Sequence, residues 1–263
     1  MEPYRIVVAS IKGGTCKTTT AVSLAALLAQ YRHTLLVDFD PQGQVTAHFG
    51  LKQSPGVSEW LLGDRPYRDC LQHGRPTNLV IMPGDQSSKH VGYKYSEQRT
   101  AYGLVAKLQN VQDFDFQVYD TAAGGFLQEA ALIAANHVII PFRTEGASIA
   151  SLRHTLDTIK ATTANTVGIT LLPVSYQKQY AIHRRNLAIV TNALGTVFHI
   201  DEKMAVPHRV GVIEAFSEGE TIWEYKDSTL QPVRAAYAKL AEYIFELTEL
   251  SYYSKQLENT YAA

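Results

Sequence analysis

Apolar positions along the chain follow two periods that alternate from one end to the other. Short β-branched or leucine-rich runs of strand length occupy residues 6–9, 34–37, 78–82, 114–121, 137–141 and 167–174. Between them, apolar residues recur at helical spacing. Val22, Leu24, Ala25, Leu27 and Leu28 form one such face, and residues 126–135 and 147–161 form two more. Residues 177–186 lead into a further helix, and 233–250 carry Tyr237, Leu240, Ala241, Ile244 and Phe245 on one amphipathic side. A short helix is predicted from Val57 to the stop at Gly63. Strands alternating with helices at this spacing predict a mainly parallel sheet with right-handed crossovers, covered on both faces by helices. The polar stretch 89–100 sets Lys89, His90, Lys94 and Arg99 among tyrosines. It reads as a solvated loop, with a nucleic-acid contact as the alternative.

Composition narrows this picture. A chain of 263 residues with 46% hydrophobic residues can bury a substantial core in one α/β domain. Charged residues are 19% and the net charge is -1, so no bulk positive field captures nucleic acid and any DNA contact must come from a local patch. Two cysteines, Cys16 and Cys70, exclude a disulfide framework and an iron–sulfur centre built from paired cysteines. No Cys/His cluster has zinc-site spacing. The chain enters its first strand without a signal-peptide pattern, and no run of ~18 apolar residues could span a membrane. A cytoplasmic location is the expectation.

The chemistry concentrates where strands end. After the first strand comes Lys12-Gly13-Gly14-Thr15-Cys16-Lys17-Thr18-Thr19 and then a helix. A strand, a glycine turn and a helix start aim backbone N–H groups and the positive end of a helix dipole at one point. Lys17 adds a charge there, and the Thr18 hydroxyl is suited to a magnesium ion bridging phosphates. The strict pattern G-x-x-x-x-G-K-[ST] fails twice, at Ile11 and Cys16; K-G-G-x-x-K-[ST] fits, with Lys12 as a second lysine. Asp38 and Asp40 close the second strand in Asp38-Phe39-Asp40-Pro41-Gln42-Gly43, and the alternation of side chains predicts that both point to one side. Asp120 ends a later strand, where such folds place a magnesium carboxylate. Cys16, beside a lysine and a helix start, reads as a small residue at a tolerant position, with a reactive thiol as the lesser alternative.

These motifs resemble the ParA/MinD family of ATPases, closest to ParA-type partition and positioning ATPases. The order of Pro207, Arg209-Val210, Glu214-Ala215, Gly219 and a final helix resembles the C-terminal portion of ParA proteins, so the likeness runs from Arg5 to about Leu250. The resemblance implies a single-domain, doubly wound, mainly parallel P-loop fold over 1–250, with 251–263 as a disordered polar tail. It implies ATP and Mg2+ as cofactors, with Lys17 and the segment from Gly13 through Gly14, Thr15, Cys16 and Thr18 on the phosphates and Thr19 near the α-phosphate. Thr18, Asp38 and Asp120 would hold the metal, Asp40 would position the attacking water, and Lys12 would act across an ATP-bound homodimer. Pro207 and His208 would lie near the base. Here Ala122-Ala123-Gly124-Gly125 replaces the prolines usual after the metal carboxylate. The implied partners are non-specific DNA and a ParB-like or cargo-adaptor protein, with no membrane, and the implied location is the nucleoid. DNA contacts would fall on Lys178, Arg184, Arg185, Lys203 and Arg209, where five basic residues face two acids, Asp201 and Glu202. Two alternatives stand beside this. A MinD-like membrane ATPase needs a basic C-terminal helix, whereas Glu242, Glu246 and Glu249 make this one acidic. A related tyrosine kinase is suggested only by Tyr252, Tyr253 and Tyr261.

Overall fold

The computed structural model describes residues 2–63, 65–97, 101–163, 167–248 and 250–261, so Arg99 and Glu249 lie outside the described residues. In chain order, β1 (Tyr4–Val8), α1 (Lys17–Leu28), β2 (Thr34–Phe39), α2 (Gln44–His48) and α3 (Val57–Leu61) make up the first part. The next are β3 (Gln72–His73), β4 (Leu79–Met82), α4 (Val91–Glu97), α5 (Ala101–Gln109) and β5 (Phe116–Thr121). They lead on to α6 (Phe126–Ala134), β6 (His137–Arg143), α7 (Gly146–Thr162), β7 (Gly168–Val174) and α8 (Ala181–Leu194). The chain closes with α9 (Val210–Ser217), α10 (Gln231–Leu247) and α11 (Ser251–Tyr261).

The strands form one seven-stranded sheet in the order β3-β4-β2-β5-β1-β6-β7. All neighbours are parallel except the short edge strand β3, which runs antiparallel to β4. Because helices cover both faces, the central strands are apolar on both sides. Along β1, Val7 and the following Ala9 enter one core, whereas Ile6 and Val8 enter the other. The second core is closed by α1 and α10, and Thr20 Oγ1 and the Tyr237 hydroxyl meet there at 3.2 Å. Burial on every side of α1 from Thr20 to Leu28 makes it the central helix of that face.

The sheet order decides the site. β5 inserts between β1 and β2, so the register sets Asp120 beside Val8 on one side and beside Asp38 on the other. Residues 82 positions apart thus become neighbours at the C-terminal edge of the sheet, where open α/β sheets bind ligands.

Three expectations are corrected. The stretch expected as a solvated loop is a 3-10 turn over Gln86–His90 followed by α4. Tyr95 is buried there and Lys94 Nζ donates to the Leu62 carbonyl at 2.8 Å, so the basic–aromatic interleaving partly serves packing. The tail expected to be disordered is the helix α11, folded back on α10. Leu257 is fully buried, Tyr253 packs edge-on against Tyr31 at 5.5 Å, and Tyr261 packs against Trp223 at 5.3 Å. Its composition is polar because a single apolar stripe suffices to dock a surface helix. Asp38 and Asp40 do not point the same way: β2 ends at Phe39, so strand alternation stops before Asp40. Asp38 turns into the protein and is fully buried, while Asp40 stays half-exposed.

Candidate functional site

Between β1 and α1 the backbone turns through left-handed conformations at Gly14 (φ 73°) and at Cys16 (φ 59°, ψ 32°), which precedes the first turn of α1. No side chain caps that turn, and it holds no acid, so its free N–H groups remain directed outward. Thr15 Oγ1 donates to the Lys12 carbonyl at 3.2 Å and the Lys12 amide donates to Ser10 Oγ at 3.3 Å, which fixes the loop. The result is a cavity of about 410 Å³ lined by Gly13 to Thr19, Asp40, Gln44 and Ala123.

Charge is concentrated on and just behind its wall. Partial burial lowers the pKa of Lys17, and the neighbouring Asp120 and Asp40 pull it back up. Asp120 is fully buried and its pKa is pushed up to about 8, first by burial and then by the charge of Asp38. Neither of its carboxylate oxygens has a hydrogen-bond partner of normal geometry. The Thr18 hydroxyl lowers that pKa from nearby but donates instead to Gln44 Oε1 at 3.2 Å. Two buried, unpartnered carboxylate oxygens beside a threonine hydroxyl and a lysine are costly alone and suit a hard divalent cation. Thr18 and Asp120 therefore fit a magnesium site.

Asp38 is otherwise engaged. Its Oδ2 accepts from the Thr46 amide at 3.0 Å and the Thr46 hydroxyl at 2.7 Å, while Oδ1 accepts from the Asp40 amide at 3.3 Å. Burial still pushes its pKa up to about 6 against those bonds. The expected metal ligand Asp38 is thus spent on holding the loop that carries Asp40. Asp40 reaches the cavity, with Oδ1 accepting the Gln42 amide at 2.9 Å. After Asp120, Gly124 (φ 100°) and Gly125 (φ 98°) adopt left-handed-side conformations that suit glycine and are closed to proline.

A second cavity of about 250 Å³ adjoins the first, and Cys16 and Thr19 line both. Pro207, His208 and Arg209 line its far side, where the base was expected, together with Ser175. Arg209 belongs to this cavity, and its guanidinium is held by the Thr229 and His208 carbonyls at 3.3 and 2.8 Å. Exposed Lys178 precedes α8 and exposed Arg184 and Arg185 lie near its N-terminal end, with Arg184 Nη1 turned back on the Lys178 carbonyl at 2.6 Å. Exposed Lys203 lies in a 3-10 turn over Glu202–Met204.

Sequence reasoning missed Gln44, Thr46, Gly84 and Ser175. Gln44 and Thr46 follow the Asp-Pro-Gln-Gly turn directly, a position that could have flagged them; Gly84 and Ser175 come from other strand ends and gave no local signal.

Known proteins place this site in context. A protein-family profile described as "AAA domain" matches residues 4–169. The chromosome-partitioning ATPase Soj of Treponema pallidum is 33% identical over 244 residues, covering 89% of this chain and 93% of Soj. The chromosome partitioning protein ParA of Myxococcus xanthus is 34% identical over 165 residues, 59% of this chain and 58% of its own length. Among solved structures, an ATP complex of a McdA variant from Cyanothece superposes with a TM-score of 0.80 at 21% identity, covering 93% of this chain and 97% of McdA, a likeness of fold. With the lysine-bearing loop, the buried carboxylate and the sheet order all in place, the chain belongs to the ParA/Soj family of P-loop ATPases.

Proposed function

We propose that this protein is a magnesium-dependent ATPase that dimerises with ATP, binds DNA of any sequence as that dimer, and segregates or positions a cargo. A ParB-like or adaptor partner would stimulate hydrolysis and release the dimer from the nucleoid. The observation that carries the reading is the pair of unpartnered, buried Asp120 oxygens beside the Lys17–Thr18 cradle. Lys17 and the amides from Gly13 to Thr18 would take the β- and γ-phosphates, and Thr19 the α-phosphate. Thr18 and Asp120 would hold magnesium, which supplies charge neutralisation on the phosphates. Asp40 would orient the water. Lys12 would bring a charge to the partner protomer's phosphates, so hydrolysis needs the dimer. Pro207 and His208 would flank the base. Lys178, Arg184, Arg185 and Lys203 are the residues offered to DNA, with Arg209 a lesser contributor because its guanidinium is committed within the base-side cavity. One protomer supplies few phosphate contacts, and a two-fold dimer doubles them, which couples DNA binding to ATP.

The test is DNA binding by the purified protein with ATP, ADP or no nucleotide, alongside its size in solution. A dimer that retains arbitrary DNA only with ATP supports the reading. A dimer with ATP but without DNA affinity overturns the partition role and directs attention to membranes or protein partners.

A further inference from the structure

We infer that Thr46 is a positioning residue for Asp40, acting through Asp38 and Gly84. The inference rests on the assignment of Asp40 as the water-orienting carboxylate and adds what holds it in place.

Thr46 is 1% exposed and lies in α2, six residues past Asp40. Its hydroxyl donates to Asp38 Oδ2 at 2.7 Å, with the Gly84 carbonyl a longer second acceptor at 3.3 Å, and accepts the Gly84 amide at 2.8 Å. Its own amide also donates to Asp38 Oδ2 at 3.0 Å. Both free rotations of the Asp38 carboxylate are thereby fixed, and its other oxygen holds the Asp40 amide. Three segments, at the ends of β2 and β4 and the start of α2, are joined through one hydroxyl. The approach is close: a Cβ at Gly84 would sit 2.5 Å from the Asp38 carbonyl oxygen and 2.8 Å from its carboxyl carbon. Two residues earlier in α2, Gln44 accepts the Thr18 hydroxyl at 3.2 Å. α2 therefore ties the Asp40 loop to the cradle on one side and to β4 on the other. Water orientation is sensitive to small displacements, so a loop fixed this tightly sets turnover more than nucleotide affinity.

The test compares Thr46→Val, which keeps the shape and removes the hydroxyl, with Thr46→Ser, which keeps the hydroxyl, and with Asp40→Ala. Turnover and affinity for a non-hydrolysable ATP analogue are read separately. The expected result is a 10- to 100-fold loss of kcat in Thr46→Val with analogue affinity within threefold of wild type, and most turnover restored in Thr46→Ser. The double variant Thr46→Val/Asp40→Ala should be no slower than Asp40→Ala, because both act on one step. If Asp40→Ala is inactive while Thr46→Val keeps at least half its turnover, the role of Thr46 is overturned and that of Asp40 stands. If Thr46→Val loses analogue affinity as steeply as turnover, Thr46 is merely structural and the inference fails. If Asp40→Ala turns over like wild type, the underlying assignment fails as well.

Discussion

Cys16 and Ser175 meet in the second cavity, Sγ to Oγ at 4.0 Å, and both hold left-handed backbone conformations, with φ of 59° and 52°. They lie 159 residues apart, and each bears a strain that glycine would avoid. Replacing Cys16 by glycine, the residue of the strict loop pattern, should leave stability within about 1 kcal/mol, since relief of strain offsets added freedom in the unfolded chain. Cys16→Val should cost roughly 1–2 kcal/mol, because a β-branched residue is disfavoured there. Thermal melting of both variants checks this; equal melting temperatures would refute the strain argument.

The same position makes a chemical prediction. Cys16 is half-exposed and lines the cavities, while Cys70 is fully buried with its thiol pKa pushed up to about 11 by burial. A thiol-alkylating reagent on the native protein should modify Cys16 alone, and ATP should slow it several-fold. Intact-mass and peptide analysis reads both; labelling at Cys70 or no protection by ATP would contradict the cavity assignment.

Asp120 predicts an unusual pH dependence of the metal-free protein. An ordinary aspartate releases its proton near pH ~4, whereas Asp120 holds it until about 8. Between those values the folded state binds the extra proton, so its stability falls as pH rises. From pH 6 to 8 the loss should be on the order of 2 kcal/mol. Asp120→Asn should flatten that slope and abolish magnesium-dependent turnover. Melting curves with a chelator at both pH values, and an ATPase assay, check it; an unchanged slope in the variant sinks the prediction.

His137 gives the opposite sign on the acid side. Fully buried between β1 and β7, with Nε2 2.9 Å from Thr170 Oγ1, it has its pKa lowered to about 4 by burial and by His199. The unfolded chain takes up this proton near pH ~6.5, so stability should drop between there and pH 4, by roughly 3 kcal/mol from this residue. His137→Asn should flatten that acid limb. Denaturant titrations at pH 7 and 5 measure the effect, and an identical limb would assign acid sensitivity elsewhere.

α11 contributes to the second core rather than hanging from it. Truncating Leu257, which is fully buried, to alanine should cost about 2–4 kcal/mol. Arg32 lies 4.9 Å from the centre of the Tyr253 ring, so removing residues 251–263 should cost more than Leu257→Ala. Retention of full stability in the shortened chain would show that the helix docks too weakly to matter.

The sequence by itself determined the alternation of strands and helices, the cradle from Lys12 to Thr19, and the presence of carboxylates at strand ends. Each is a local property: hydrophobic period, glycine placement and a lysine–threonine pair are read within a few residues. The tertiary structure alone decided the surroundings of each carboxylate. Asp38 and Asp40 look equivalent in the chain, and only the insertion of β5 beside β2 and the closing of Thr46 and Gly84 over Asp38 separate a buried, hydrogen-bonded brace from a residue facing the cavity. Asp120 is a candidate metal ligand already from its place at a strand end, and packing adds that both its oxygens are buried without partners, which no spacing encodes. The fate of the tail also belonged to tertiary structure, since Leu257 and Tyr253 count as a docking stripe only once α1 and α10 present a surface to receive them.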